Sequence, residues 1–117
     1  MRRGDIYYAS FDPTRGSETN KLRPVIIVSN DALNIAVENL QRGVITVIPL
    51  TSNVEKVASY QVFLPLEASG LSKDSKAQTE QVRALAFERF LPEIKGTVPA
   101  SYMAQIDEAL KLHFSLI

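Results

Sequence analysis

The chain has 117 residues, no cysteine, one histidine, and 13 lysines and arginines against 13 aspartates and glutamates, so its formal net charge is zero. That length suits one domain, residues 1–117, able to bury a core without staples. Without cysteine there is no disulfide framework, thiol chemistry or cysteine zinc site, and the lone His113 excludes a histidine-rich metal site. Zero net charge means that any polyanion has to be met by a local patch. No stretch is apolar for long enough to be a membrane span or a signal peptide, so a soluble protein of a reducing cytoplasm is expected.

Ile6–Phe11 is rich in aromatics and bounded by Gly4 and Pro13, which predicts a first strand. Asp12-Pro13-Thr14-Arg15-Gly16 is a turn signal, and Ser17-Glu18-Thr19-Asn20-Lys21 extends it into a long surface loop. Such a loop is either a mobile hairpin tip or a functional segment. In Leu22–Asn30 an arginine stands at the mouth of the run Val25-Ile26-Ile27-Val28, which reads as a strand buried on both faces. Pro24 fixes its own φ and biases Arg23 towards an extended conformation, so stiff backbone holds the guanidinium at the start of the strand. On these residues alone Arg23 is either an edge side chain reaching into solvent or a fixed cation.

Ser29-Asn30-Asp31 supplies capping side chains for a short helix or turn over Ala32–Ile35. Gly43–Leu50 is a second near-continuous apolar strand, ending in the small hydrogen-bonding cluster Thr51-Ser52-Asn53, which is a turn or part of a site. Tyr60–Pro65 reads as a fourth strand, and Gly70 marks a turn. Ser75–Arg83 falls where another strand is expected but is polar at nearly every position. Extended, it places Lys76, Gln78 and Glu80 on one face and Ala77, Thr79 and Gln81 on the other, with one face solvated or turned to a ligand. Phe87–Leu91 fits a single helical turn stopped at Pro92, and Ile94–Val98 a short last strand. After Pro99, Met103, Ile106, Leu110, Phe114 and Ile117 share one helical face, and Gln105, Glu108 and Lys111 the other. His113 flanks the apolar stripe in a packing or surface position. The predicted fold class is α+β: a small, strongly bent antiparallel sheet or SH3-like barrel with a C-terminal amphipathic helix.

The candidate constellation is Glu18 in the loop, Arg23 at the next strand's start, Thr51 at the exit of the central strand, and the polar strand with Gln78 and Glu80. A carboxylate beside an arginine fixes the guanidinium through charge-assisted hydrogen bonds, and arginine with threonine holds a phosphate from two directions. That combination suits a phosphodiester. An unperturbed threonine hydroxyl is a poor general base, so the base stays unassigned.

Arg3-Gly4-Asp5-Ile6-Tyr7, Asp12-Pro13-Thr14-Arg15-Gly16-Ser17-Glu18, Arg23-Pro24-Val25-Ile26-Ile27-Val28, Pro49-Leu50-Thr51-Ser52 and Glu80-Gln81-Val82-Arg83, in this order and followed by the helix, resemble the MazF/PemK family of bacterial toxin endoribonucleases. The resemblance covers essentially the whole chain and is closest in kind to mycobacterial-type members. It implies a homodimer that cuts single-stranded RNA at short sequences with no metal or cofactor. The 2′-hydroxyl attacks the adjacent phosphate and leaves a 2′,3′-cyclic phosphate and a 5′-hydroxyl. It also implies a cognate MazE-like antitoxin whose acidic tail covers the dimer and active-site grooves. By the same resemblance Arg23 is the main catalytic group and Thr51 its partner. Glu18, with Gly16 and Ser17, belongs to a hairpin loop that folds over substrate and organises the arginine. Lys21, Ser52 and Arg83 bind RNA, and Gln78, Glu80 and Gln81 contact RNA bases.

Chemistry agrees with this reading. In-line attack builds charge on phosphate oxygens, which a fixed guanidinium stabilises, and unstacked bases offer edges to amides and carboxylates. A neutral protein binds RNA if Arg2, Arg15, Lys21, Arg23, Lys73 and Arg83 gather on one side. Two departures from the family stand out: the first loop has no histidine, and Gln78 and Glu80 occupy the strand where other members carry arginine and aspartate. A CcdB-like gyrase-binding toxin is the alternative of another class, but those proteins use a terminal Trp-Gly-Ile and this chain has no tryptophan. A barrel that binds RNA without cutting it is the third reading.

Overall fold

Three strands with branched apolar side chains on both faces make the centre of the molecule. The computed structural model describes residues 1–11 and 22–116. In it β1 (Asp5–Ser10), β2 (Leu22–Ile27) and β3 (Val44–Thr51) lie antiparallel, side by side. Val25, Ile26 and Ile27 are fully buried, as a strand covered on both faces requires. Ile6, Ile26 and Ile48 stand in register and pack beneath Ile106 and Ala109 of α3 (Ala100–Phe114). The residues one step along face the other way. Tyr7, Val25, Ile27 and Val47 form a second cluster with Val37 of α1 (Asp31–Leu40), Leu85 and Phe90.

β3 serves two partners on its other edge. Its first half pairs with β6 (Arg83–Ala86), and its last two residues pair with β5 (Ser75–Ala77), which in turn pairs with β4 (Val62–Leu64). With β7 (Phe90–Thr97) on β1, the result is a seven-stranded sheet in the order β4-β5-β3-β2-β1-β7, with β6 beside β3. Every pairing is antiparallel, and the fold class is the expected α+β with a C-terminal helix.

Several elements differ from expectation. α1 runs to Leu40 and not to Ile35, because Val37 in its later turn is buried in the second cluster and tertiary burial extends the helix. Asn30 caps it by accepting from the Leu33 N–H at 2.9 Å. The expected polar strand over Ser75–Arg83 breaks after Ala77. Gln78 takes φ −87° and ψ 76°, and Thr79–Gln81 forms a 3-10 turn packed against α3 with Thr79 fully buried. The proposed Lys76–Gln78–Glu80 face therefore does not exist. Tyr60–Pro65 shortens to β4, followed by a short unforeseen helix α2 (Leu66–Ser69), which Gly70 closes at φ 78°. The helical turn before Pro92 is only Phe87–Arg89. β7 starts at Phe90 and runs through Pro92, which fits because β7 is an edge strand whose register on β1 shifts between Tyr7 and Ala9. On α3 the packed stripe ends at Leu110; Phe114 is 54% exposed, and Ile117 lies outside the described residues.

Arg3 ties three elements together. Its Nε donates to the Val28 carbonyl at 2.9 Å, its Nη2 to Asp107 Oδ1 on α3 at 2.6 Å, and its backbone N–H to Asp31 Oδ1 at 2.7 Å. The N–H of Arg3 is the main reason the Asp31 carboxyl is held below the ordinary carboxylate range, with Asn34 and the charges of Arg2 and Arg3 adding to it. A lowered carboxylate contributes stability above its unfolded pKa, and that contribution disappears as pH falls through the folded value. Asp31→Asn is expected to flatten the acid limb of the stability–pH curve below about pH 4, measured by urea unfolding across pH; an unchanged limb contradicts the assignment.

Gly96 in β7 passes so close to α2 that an added Cβ would sit 2.0 Å from the Ser69 carbonyl oxygen. Gly96→Ala is expected to destabilise the fold by about 3 kcal/mol, because backbone and not a flexible side chain has to move. A denaturation midpoint equal to wild type would show that β7 and α2 do not meet here.

Candidate active site

β2 pairs with β3 through Val25 opposite Pro49, and that pairing goes no further towards the start of β2. From Leu50 onward β3 bonds to β5 instead, with Leu50 opposite Ala77 and Thr51 opposite Lys76. The start of β2 and the end of β3 thus flank a wedge. Pro24, which has no N–H to give, sits on the β2 side of that wedge, where the β3 ladder has already ended. Arg23 lies two residues beyond Val25 on β2 and Thr51 two residues beyond Pro49 on β3, so by strand alternation each keeps the facing of the last paired residues. On its other side Arg23 pairs with buried Ala9, so its backbone is held by β1 while its side chain is exposed.

The same face collects further cations. Lys76 is the direct partner of half-buried Thr51, and exposed Arg83 is the partner of Val47, which shares the parity of Pro49 and Thr51. The Arg83 guanidinium lies 5.2 Å from the Phe11 ring centroid, a cation–π contact at the last described residue of the β1 side. Thr51 Oγ1 accepts from the Asn53 N–H at 3.2 Å, which orients its hydroxyl and leaves its proton available to an anion. Arginine, lysine and threonine donors on one face can hold a phosphodiester. Lys76 and Phe11 had not been assigned to the site. The pairing that brings Lys76 beside Thr51 depends on the break after Ala77, and nothing local in the sequence signals the Phe11–Arg83 contact.

The other sequence candidates are placed differently. Gly16, Ser17, Glu18 and Lys21 lie outside the described residues. Ser52 is exposed just beyond Thr51. Glu80 is engaged elsewhere: its two carboxylate oxygens accept from Gln61 Nε2 at 3.2 and 2.9 Å, tying the 3-10 turn to the segment before β4. Gln78 Oε1 and Thr79 Oγ1 are buried without a hydrogen-bond partner among the described residues, whereas Gln81 is exposed. Among the described residues no three His, Cys, Asp or Glu side chains gather to hold a metal, and no helix is long and apolar enough to cross a membrane.

Residues 2–114 match the family model for the PemK-like, MazF-like toxin of type II toxin-antitoxin systems. Endoribonuclease MazF9 of Mycobacterium tuberculosis is 53% identical over 116 residues, covering 99% of this chain and 98% of that protein. Among solved structures, the Mycobacterium tuberculosis toxin MazF-mt6 matches with a TM-score of 0.76 at 21% identity, covering 95% of this chain and 96% of that one. MazF in a MazE-MazF structure from Deinococcus radiodurans matches with a TM-score of 0.77 at 22% identity, covering 100% of this chain and 97% of that one. At these identities the two structures speak to the fold.

The Glu80–Gln61 contact gives Glu80 a structural task. Glu80→Ala is expected to cost about 1–2 kcal/mol in urea unfolding, since a charge-assisted pair is lost and the Gln61 amide is stranded. In a double-mutant cycle with Gln61→Ala the two losses are expected to overlap; strict additivity would mean that the side chains do not interact.

Proposed function

Because this chain belongs to the PemK-like, MazF-like toxin family of type II toxin-antitoxin systems, we propose that it is an endoribonuclease that cuts single-stranded RNA with Arg23 and Thr51 at the scissile phosphate. The observation that supports this reading is the β2–β3 ladder, which ends at Val25 and Pro49, two residues short of Arg23 on one strand and of Thr51 on the other. The name of the 53% identical relative, an endoribonuclease, supports the activity.

In the proposed reaction the ribose 2′-hydroxyl gives its proton to water and attacks the adjacent phosphorus in line, the bond to the 5′-oxygen breaks, and that oxygen takes a proton from water, leaving a 2′,3′-cyclic phosphate and a 5′-hydroxyl. Negative charge grows on the non-bridging oxygens as attack proceeds. The Arg23 guanidinium stabilises that charge, and the Thr51 hydroxyl donates to a second oxygen. The route needs neither metal nor cofactor. Gly16, Ser17 and Glu18 are proposed to cover the substrate and orient Arg23, and Lys21, Ser52, Gln78, Gln81 and Arg83 to contact RNA; Glu80 supports that surface through Gln61. A local cationic face compensates for the zero net charge, so RNA affinity falls with rising salt. A homodimer in the cytoplasm is proposed as the working form. Its cognate partner would be a MazE-like antitoxin with an acidic segment that competes for the same face.

The test is cleavage of a mixed RNA with end-group analysis. Wild type is expected to leave cyclic phosphates and to be insensitive to EDTA. Arg23→Ala is expected to lose about 10²–10³ in rate, as for removal of a transition-state donor, and Thr51→Ala about tenfold. As Arg23 is exposed, its alanine variant should keep wild-type stability to within about 0.5 kcal/mol. A folded Arg23→Ala protein with near-wild-type cleavage overturns the assignment.

A further inference from the structure

The edge of the sheet that carries Arg23 and Thr51 has a second face. Leu22 precedes Arg23 and Ser52 follows Thr51, so strand alternation turns Leu22 away from the Arg23 side, and Ser52 lines the same cavity as Leu22. On that face lies an open cavity of about 320 Å³ whose walls include Tyr8, Leu22, Pro24 and Leu71, with Ser52 and Lys73 among its polar groups. Tyr8 pairs with Pro24 across β1 and β2, which fixes the aromatic wall against the rigid ring of the proline. Lys95 lies over the Tyr8 ring at 5.9 Å, so a cation borders the cavity from β7 as well.

We propose that this cavity is a base-reading pocket, taking one unstacked nucleobase of the RNA whose neighbouring phosphate is held by Arg23 and Thr51. The inference rests on the endoribonuclease reading. Three features lead to it. First, a flat wall of tyrosine, proline and leucine suits the π-face of a base, and aromatic stacking is the usual means of holding an unstacked one. Second, Lys73 can only donate, and the Ser52 hydroxyl can donate or accept, so a base that presents a keto group where adenine and cytosine present an amino group, uracil at O4 or guanine at O6, is preferred. Third, the pocket is continuous with the proposed catalytic pair: Ser52 follows Thr51, and Leu22 and Pro24 flank Arg23 with opposite facing. A strand crossing this edge would present a phosphate to one face and a base to the other. The cut position and the sequence preference then share the same two short stretches of backbone.

The experiment measures kcat/KM on a family of RNAs bearing a single abasic nucleotide at each of the positions next to the cut, for wild type and for Lys73→Ala, Tyr8→Phe and Tyr8→Ala. Wild type is expected to lose about tenfold or more at one position, the range of a specific base contact. At that position Lys73→Ala and Tyr8→Ala should lose little further, because base and pocket form one interaction in the cycle. Tyr8→Phe, which keeps the ring and the fold, should keep the penalty. On intact RNAs Lys73→Ala should narrow the preference for uracil or guanine at that position. If wild type cuts no RNA, the endoribonuclease reading and the pocket fall together. If all variants cut with the wild-type pattern of penalties, only the pocket is overturned. The same holds if Lys73→Ala alters neutralisation by the antitoxin while every abasic penalty stays put, since the cavity then serves a protein ligand.

Discussion

The change of partner along β3 determines the shape of the site. Up to Pro49 the strand is bonded to β2 on one edge; beyond it only β5, on the other edge, continues the ladder. The strand is held from both sides, because Ile48 and Leu50 sink into the α3 cluster while Val47 sinks into the α1 cluster. Each such side chain contributes about 1.5–3 kcal/mol on burial, far more than a surface ion pair. The wedge at Arg23 and Thr51 is therefore a by-product of core packing that no mobile element has to create.

The distribution of charge follows from the same geometry. Equal numbers of acidic and basic residues leave no overall field, yet the end of one face gathers Arg23, Lys76 and Arg83. Several acidic groups are engaged elsewhere: Asp31 and Asp107 are bound by Arg3 at the far end of β2, and Glu80 by Gln61. A cationic face on a neutral protein attracts an anion only within about a Debye length, roughly 8–10 Å at physiological salt. Such a surface discriminates by fit and not by long-range capture.

What could be read from the chain varies with how far each feature depends on distant residues. The run from Val25 to Val28 announces a strand covered on both faces because its composition permits little else, and the motifs flanking it are what put Arg23 and Thr51 forward as candidates. The helix after Asn30 shows its cap locally, but its length depends on Val37 meeting strands far away in sequence. Ser75–Arg83 misled because polar alternation looks the same whether it continues or breaks. Burial of Thr79 beneath α3, a residue with a hydroxyl and no obvious reason to be inside, breaks the strand and turns Glu80 towards Gln61. Pro92 signalled a stop and instead lies in an edge strand, where an absent N–H costs nothing.

Catalysis by a guanidinium requires position above all, since misplacing a donor by about an ångström forfeits much of the rate. Arg23 is a long side chain on an exposed strand end, a poor platform unless its backbone is stiff. Pro24 fixes one neighbour, Ala9 backs the residue from β1, and fully buried Val25 holds the next turn of the pleat. At the far end of the run, Arg3 grips the Val28 carbonyl and reaches to α3, which prevents β2 from sliding along its axis. A one-residue slip would carry Arg23 to the opposite face and Ile26 out of the α3 cluster. The hydrophobic register that excludes such a slip is thus what aims the arginine, and the core and the site are specified by the same six residues of β2.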